Sequence, residues 1–302
     1  MYYLDPKNDL TFKRVFGQEK GLVISLLNSL LPLSDEHQIE SVEYISAELV
    51  PNIPGKKNSI VDVRCIDKTG RQFIVEMQIH WTSSFMQRMQ YNSSKAYSGQ
   101  LKKGESYDEL RPVYALGLIN DIYKPDSEQF YHRYIMMNPE DTADRVDGIE
   151  LITVELPKFK PEGFSMKRMA VLWLRFLTEI KNNSQTIPEG LAESKEIREA
   201  ISLIEKSKYS ESELAHYEEF WDIISTEVTV KKDAQKKGWE EGRAEGRAEG
   251  REEGREEGRA EGEAIGLQKA KSEMARSLKA DGQPIEMIMK YSGLSKEEIE
   301  EM

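Results

Sequence analysis

Between Asp9 and Leu31 the apolar residues Phe12, Val15, Phe16, Leu22, Val23, Leu26, Leu27 and Leu30 recur at helical spacing. That pattern predicts one helix, or two if Gly17 and Gly21 interrupt it. The period then shortens, and runs rich in β-branched and aromatic residues predict strands over 41–50, 59–66 and 71–79. A helix is expected over 82–103, followed by strands over 112–120, 130–137 and 150–156. Helices and strands interleave, so the expected class is a mixed α/β domain. From 165 to 230 the spacing is helical again, with Met169, Leu172, Trp173, Phe176 and Leu177 in one stripe and Leu214, Tyr217, Phe220, Trp221 and Ile224 in another. Such aromatic stripes belong to the core more often than to a cofactor box.

After Lys237 the pattern changes abruptly, with glycine at 238, 242, 246, 250, 254, 258, 262 and 266. Four residues advance an α-helix by one turn plus about 40°, so these glycines form one slowly winding stripe. Each costs about 1 kcal/mol relative to alanine in a helix interior. Two readings stay open for 231–266. One is a helical stalk that self-associates through its smooth glycine face, aided by Glu240–Arg243, Glu252–Arg255 and Glu256–Arg259 pairs. The other is a flexible charged linker. Ordinary patterning returns over 267–302, where Met274, Leu278, Ile285, Ile288 and Met289 are apolar, Gly282 and Gly293 are breaks, and Ser295 with Glu298 reads as a capping box. Three short helices are expected there, serving as a protein-contact cap rather than a DNA reader, since acids at least match bases.

Length and charge narrow the function. A chain of 302 residues has room for one large domain with an appendage. The net charge of −12 opposes broad attraction to phosphate backbones or anionic membranes, so any nucleic-acid contact must come from a local basic surface. Cys65 is the only cysteine, which excludes an intramolecular disulfide framework and points to the cytoplasm. The opening Met1 to Lys7 is not patterned as a signal peptide, and no apolar run approaches membrane-spanning length.

The chemistry is concentrated in one predicted hairpin. Along 71–79 the residues Phe73, Val75, Met77 and Ile79 share one face, and Glu76 and Gln78 share the other. A loop of Lys68, Thr69 and Gly70, with glycine in its left-handed position, pairs Asp67 with Arg71 and, continued along the strands, sets Asp62 directly opposite Glu76. Directly opposed carboxylates destabilise a hairpin. A divalent cation resolves that conflict, because Mg²⁺ takes one or two carboxylates plus waters and substrate phosphate. Gln78 is then placed to orient water or touch phosphate, and the bland reading is a solvated pair on an open face. In the next helix Arg88, Tyr91, Asn92 and Lys95 share a polar, partly basic face suited to phosphate, while Phe85, Met89 and Ala96 lie on another. His80 shares the Glu76 face, within reach of metal or water, although a surface histidine at a strand end is the preferred reading. His37, His132 and His216 are too scattered for a zinc site.

Asp62, then Glu76-Met77-Gln78, resembles the divided PD-(D/E)XK nuclease motif in the variant ending E-x-Q. The opening Asp5-Pro6-Lys7-Asn8-Asp9-Leu10-Thr11-Phe12-Lys13, with Phe16 and Gly17, is similar to the N-terminal signature of the PD-(D/E)XK transposase-like proteins, the Rpn family of recombination-promoting nucleases. Tyr97, Gln100, Leu101, Gly104 and Tyr107 extend the likeness, which covers 1–230. It implies a restriction-endonuclease-like mixed central sheet flanked by helices, here with a helical C-terminal extension. It also implies metal-dependent hydrolysis of DNA phosphodiesters in recombination, mobile DNA or defence. Under that resemblance Asp62 and Glu76 ligate Mg²⁺ or Mn²⁺, and Gln78 stands where most of the superfamily has lysine. Asp9 is a further acidic site residue or an N-cap. Arg88 or Lys95 supplies the missing charge, or a second metal ion does. The competing expectation is a non-catalytic protein of nuclease fold that homo-oligomerises through its C-terminal tail. A transposase acting alone is disfavoured, because no sequence-specific DNA-reading module is evident.

Overall fold

The computed structural model, which describes residues 1–49, 59–161 and 167–302, begins with two helices, α1 (Asp9–Phe16) and α2 (Lys20–Leu30). Asn8 caps α1, its side chain accepting from the Leu10 amide, so Asp9 is the first helical residue and not the cap. The N-cap reading of Asp9 is thereby corrected by one position. Asp9 pairs instead with Lys13 at 2.7 Å on the helix surface.

The strands are β1 (Val42–Tyr44), β2 (Glu48–Leu49), β3 (Ser59–Ile60), β4 (Val63–Asp67), β5 (Gln72–Gln78), β6 (Val113–Ile119), β7 (Tyr131–Met137) and β8 (Arg145–Glu155). Six of them form one mixed sheet in the order β1-β4-β5-β6-β8-β7, while β2 and β3 pair separately. The β4–β5 hairpin has the predicted register, with Val63 opposite Val75 and Cys65 opposite Phe73. Gly70 turns it at φ +86°, in the left-handed region that favours glycine. Asp67 locks the loop by accepting from the amides of Thr69 and Arg71 and from Arg71 Nε.

Two predicted strands needed correction. The run 59–66 is interrupted at Asp62, so that Ser59–Ile60 pairs with Glu48–Leu49 and only Val63–Asp67 joins the main sheet. The run 41–50 likewise becomes β1 and β2 in different sheets, and its last residue lies outside the described residues. At β8, pairing with β7 begins at Arg145, ahead of the apolar run, in an exposed ribbon.

The connection from β5 to its parallel neighbour β6 passes through α3 (Phe85–Ser98). On one face of the sheet, Cys65, Phe73, Val75, Leu116, Leu118 and Ile152 pack with α1, α2, α4 (Arg168–Glu179) and α5 (Lys195–Leu203). On the other, Ile74, Ala115 and Ile119 meet Phe85, Met89 and Ala96 of α3. Gly117 makes that second layer possible, since a Cβ there would sit 2.9 Å from Met89 Sδ and 3.1 Å from the Phe85 ring. Covering both faces of β5 buries Glu76, which is 5% exposed. The open-face reading therefore fails for Glu76, while Asp62 is half-buried.

The chain divides into two units, Met1–Ser225 and Thr226–Met302. Helix α6 (Glu211–Ala280) takes in all eight glycines of the repeat, and apart from the adjoining helix backbone no atom of the described residues lies within 4 Å of a Cβ built on any of them. Its ion pairs there are Lys237–Glu241 and Arg259–Glu263, both at 3.7 Å and exposed. In the second unit α7 (Ile285–Ser292) and α8 (Lys296–Glu300) bury Ile288, Leu294 and Ile299 against Ala275. Ser295 and Glu298 form the capping box. No helix among the described residues is long and apolar enough to cross a membrane.

Candidate functional site

Glu76 lies near the end of β5, opposite Gly117 of β6, so no β6 side chain stands beside it. Helix α3 fills that side: Asn92 Nδ2 donates to Glu76 Oε1 at 3.0 Å, and Arg88 Nε lies 3.6 Å from Glu76 Oε2. Asn92 is fully buried, although it shares the polar face of α3 with Arg88. Its Oδ1 has no hydrogen-bond partner among the described residues.

Asp62 occupies the break between β3 and β4. The interruption frees its carboxylate to reach across the hairpin, where Oδ2 accepts from the Met77 amide at 2.7 Å. Both acids, together with Lys7, Asp9, Gln78, Arg88 and Phe220, line one cavity of about 370 Å³. Burial pushes the Asp62 carboxyl up to about 6; the Met77 amide and Lys13 oppose that rise, and the charges of Glu76 and Asp9 add to it. Burial also raises Glu76, against the hydrogen bonds from Asn92 and Arg88. Two carboxyls that hold protons more tightly than usual thus face one polar cavity.

Gln78 is fixed at both ends of its amide: Nε2 donates to the His80 carbonyl at 2.6 Å, and Oε1 accepts from Arg88. Arg88 therefore bridges Glu76 and Gln78. Lys95 goes elsewhere, donating to the Leu49 carbonyl and lying 5.2 Å from the Tyr91 ring centroid. Neither Tyr91 nor Lys95 lines the cavity, and neither does the His80 ring.

The residue that sequence reasoning missed is Lys7. It is 5% exposed, and its ammonium donates to the Leu177 carbonyl at 2.8 Å and pairs with Asp5 Oδ1 at 2.9 Å. The hydrogen bonds of Asp5 and Asn8 to Tyr217 and of Thr11 to the Asp5 carbonyl hold this opening turn in place. A lysine inside a polar segment carries no periodic signal; only its position between Asp5 and Asp9 marked it.

Among the described residues no group of three or more His, Cys, Asp or Glu side chains is placed to hold a metal ion. Asp62 and Glu76 form a two-carboxylate set of hard oxygen donors, which fits Mg²⁺ or Mn²⁺ completed by waters and substrate oxygens, and does not fit an all-protein cage.

Comparison with known proteins gives the family. The sequence profile described as PD-(D/E)XK nuclease family transposase matches residues 6–228. No curated protein and no solved structure matches the chain.

Proposed function

The chain belongs to the PD-(D/E)XK nuclease family transposases, with a restriction-endonuclease-like α/β fold, and from that premise we propose that it is a metal-dependent DNA endonuclease that hydrolyses phosphodiester bonds in recombination, mobile DNA or defence. The observation that carries the reading is the convergence of Asp62 and Glu76 on one polar cavity walled by Arg88 and Lys7. Members of this superfamily generally use divalent metal ions.

Asp62 and Glu76 are the residues that would hold Mg²⁺ or Mn²⁺. A bound ion of this kind supplies a lowered pKa for a coordinated water and stabilises charge on the attacked phosphate. Asn92 orients Glu76, and the Met77 amide orients Asp62. Arg88 carries the charge absent from Gln78 and meets the phosphate from the α3 side, as preorganised cations do at developing oxyanions. Gln78 keeps one amide N–H beyond the one given to His80, available for water or a phosphate oxygen. Asp9, on the cavity rim, adds negative charge that favours a cation.

We place the protein in the cytoplasm, as its single buried thiol Cys65 suggests, and assign the open glycine stripe of α6 to self-association. That stripe also favours a second reading, a nuclease-fold assembly protein without catalysis. Calorimetry with Mn²⁺ separates the two: a nuclease binds the ion in a manner abolished by Asp62→Ala, whereas an assembly protein does not bind it.

A further inference from the structure

A second cavity, of about 490 Å³, adjoins the first. Lys7 lines both cavities. The neighbouring residues Phe220 and Trp221 of α6 line one each, Phe220 the acidic cavity and Trp221 the second. The two are also joined through the sheet, because the amide of Asn120, in the second cavity, donates at 2.8 Å to the carbonyl of Gln78, in the first.

The linings differ in character. The second cavity has one carboxylate, Asp5, already paired with Lys7, and adds Lys181, whose ammonium has no partner among the described residues. The Asn120 side chain is likewise without a partner there. The Trp221 indole Nε1 is buried without a hydrogen bond of good geometry, although it lies close enough to Tyr217 to influence its hydroxyl. Donors, a net positive charge and aromatic side chains in one lining match a nucleotide: phosphate oxygens accept from Lys and Asn, and a base stacks on an indole. In a chain of net charge −12 such a local set is what an anionic strand requires.

The geometry points to a nucleotide subsite in this second cavity, with Lys181 and Asn120 on a phosphate and Trp221 against a base, holding the nucleotide next to the scissile phosphate. It rests on the nuclease reading for its position in the substrate but needs neither metal nor cleavage to bind.

The test is calorimetric titration of the full chain, in EDTA, with a 5′-phosphorylated thymidine trinucleotide and with its unphosphorylated form. The phosphorylated form should bind more tightly, and Lys181→Ala and Trp221→Leu should each weaken its binding by about tenfold. Lys181 is exposed, so its removal leaves the fold intact even if the Trp221 variant is damaged. Equal binding of both trinucleotides, or unchanged affinity in Lys181→Ala, overturns the subsite. Cleavage activity with Lys181-independent binding sinks the subsite alone; Lys181-dependent binding without any metal-dependent cleavage sinks the nuclease reading alone.

Discussion

Asn92 of α3 donates to Glu76 of β5 at 3.0 Å while its own Oδ1 has no partner among the described residues, so a buried amide is dedicated to orienting one carboxylate. A hydrogen bond to a charged group is worth about 1.5–3 kcal/mol. Asn92→Leu should therefore raise the Glu76 carboxyl further and weaken Mn²⁺ binding by about tenfold or more at pH 7. Calorimetry checks this, with circular dichroism confirming the fold.

Arg88 touches both Glu76 and Gln78, which gives its removal opposite effects on two observables. Without DNA, Arg88→Ala frees Glu76 from a competing cation, and Mn²⁺ binding should tighten by a few-fold, in the manner of other partly exposed pairs. Cleavage should fall by about 100-fold, because the charge facing the phosphate is lost. Parallel losses in both measurements would show that Arg88 serves only to position Glu76.

Asp62 makes the metal-free protein sensitive to pH. Its folded value of about 6 lies above the usual carboxylate range, so the folded state binds this proton more tightly than the unfolded chain. The resulting stabilisation is present below the unfolded value of about 3.9 and is lost as pH rises through 6. Asp62→Asn keeps an acceptor for the Met77 amide and removes the charge. In EDTA it should be more stable than the native chain at pH 8 by about 1–3 kcal/mol, with the gain shrinking towards pH 4. Thermal melts across that range test the sign.

Gly117 marks where α3 and the sheet come closest. Gly117→Val forces a side chain into Phe85 and Met89 and should cost about 1–3 kcal/mol by overpacking, beyond any effect on β propensity. It should also disturb Asn92, one turn along the helix from Met89, and so weaken metal binding. Denaturant unfolding measures the first effect and calorimetry the second.

How much of this the sequence disclosed depended on whether a signal was local. The hairpin register was legible because Gly70 and Asp67 define the turn within four residues. The break at Asp62 was not, because Ile60, Val61 and Val63 continue a strand pattern across it and only pairing with β2 redirects the chain. Asn92 was placed on the polar face because its type is polar, whereas burial was decided by the sheet packed over it. Lys7 and the second cavity arise from tertiary convergence, which no spacing rule contains. The acidic pair could be read from spacing, and its burial could be read only once α3 covered the second face of β5.

The most direct test of the central claim is incubation of purified protein with supercoiled and linear DNA in Mg²⁺, Mn²⁺ or EDTA, beside folded Asp62→Ala and Glu76→Ala proteins. Cutting should require the metal, vanish in both variants and decline as pH falls, because protons compete with the metal for Asp62. Absence of cutting by the native chain, or cutting that survives loss of either carboxylate, would contradict it.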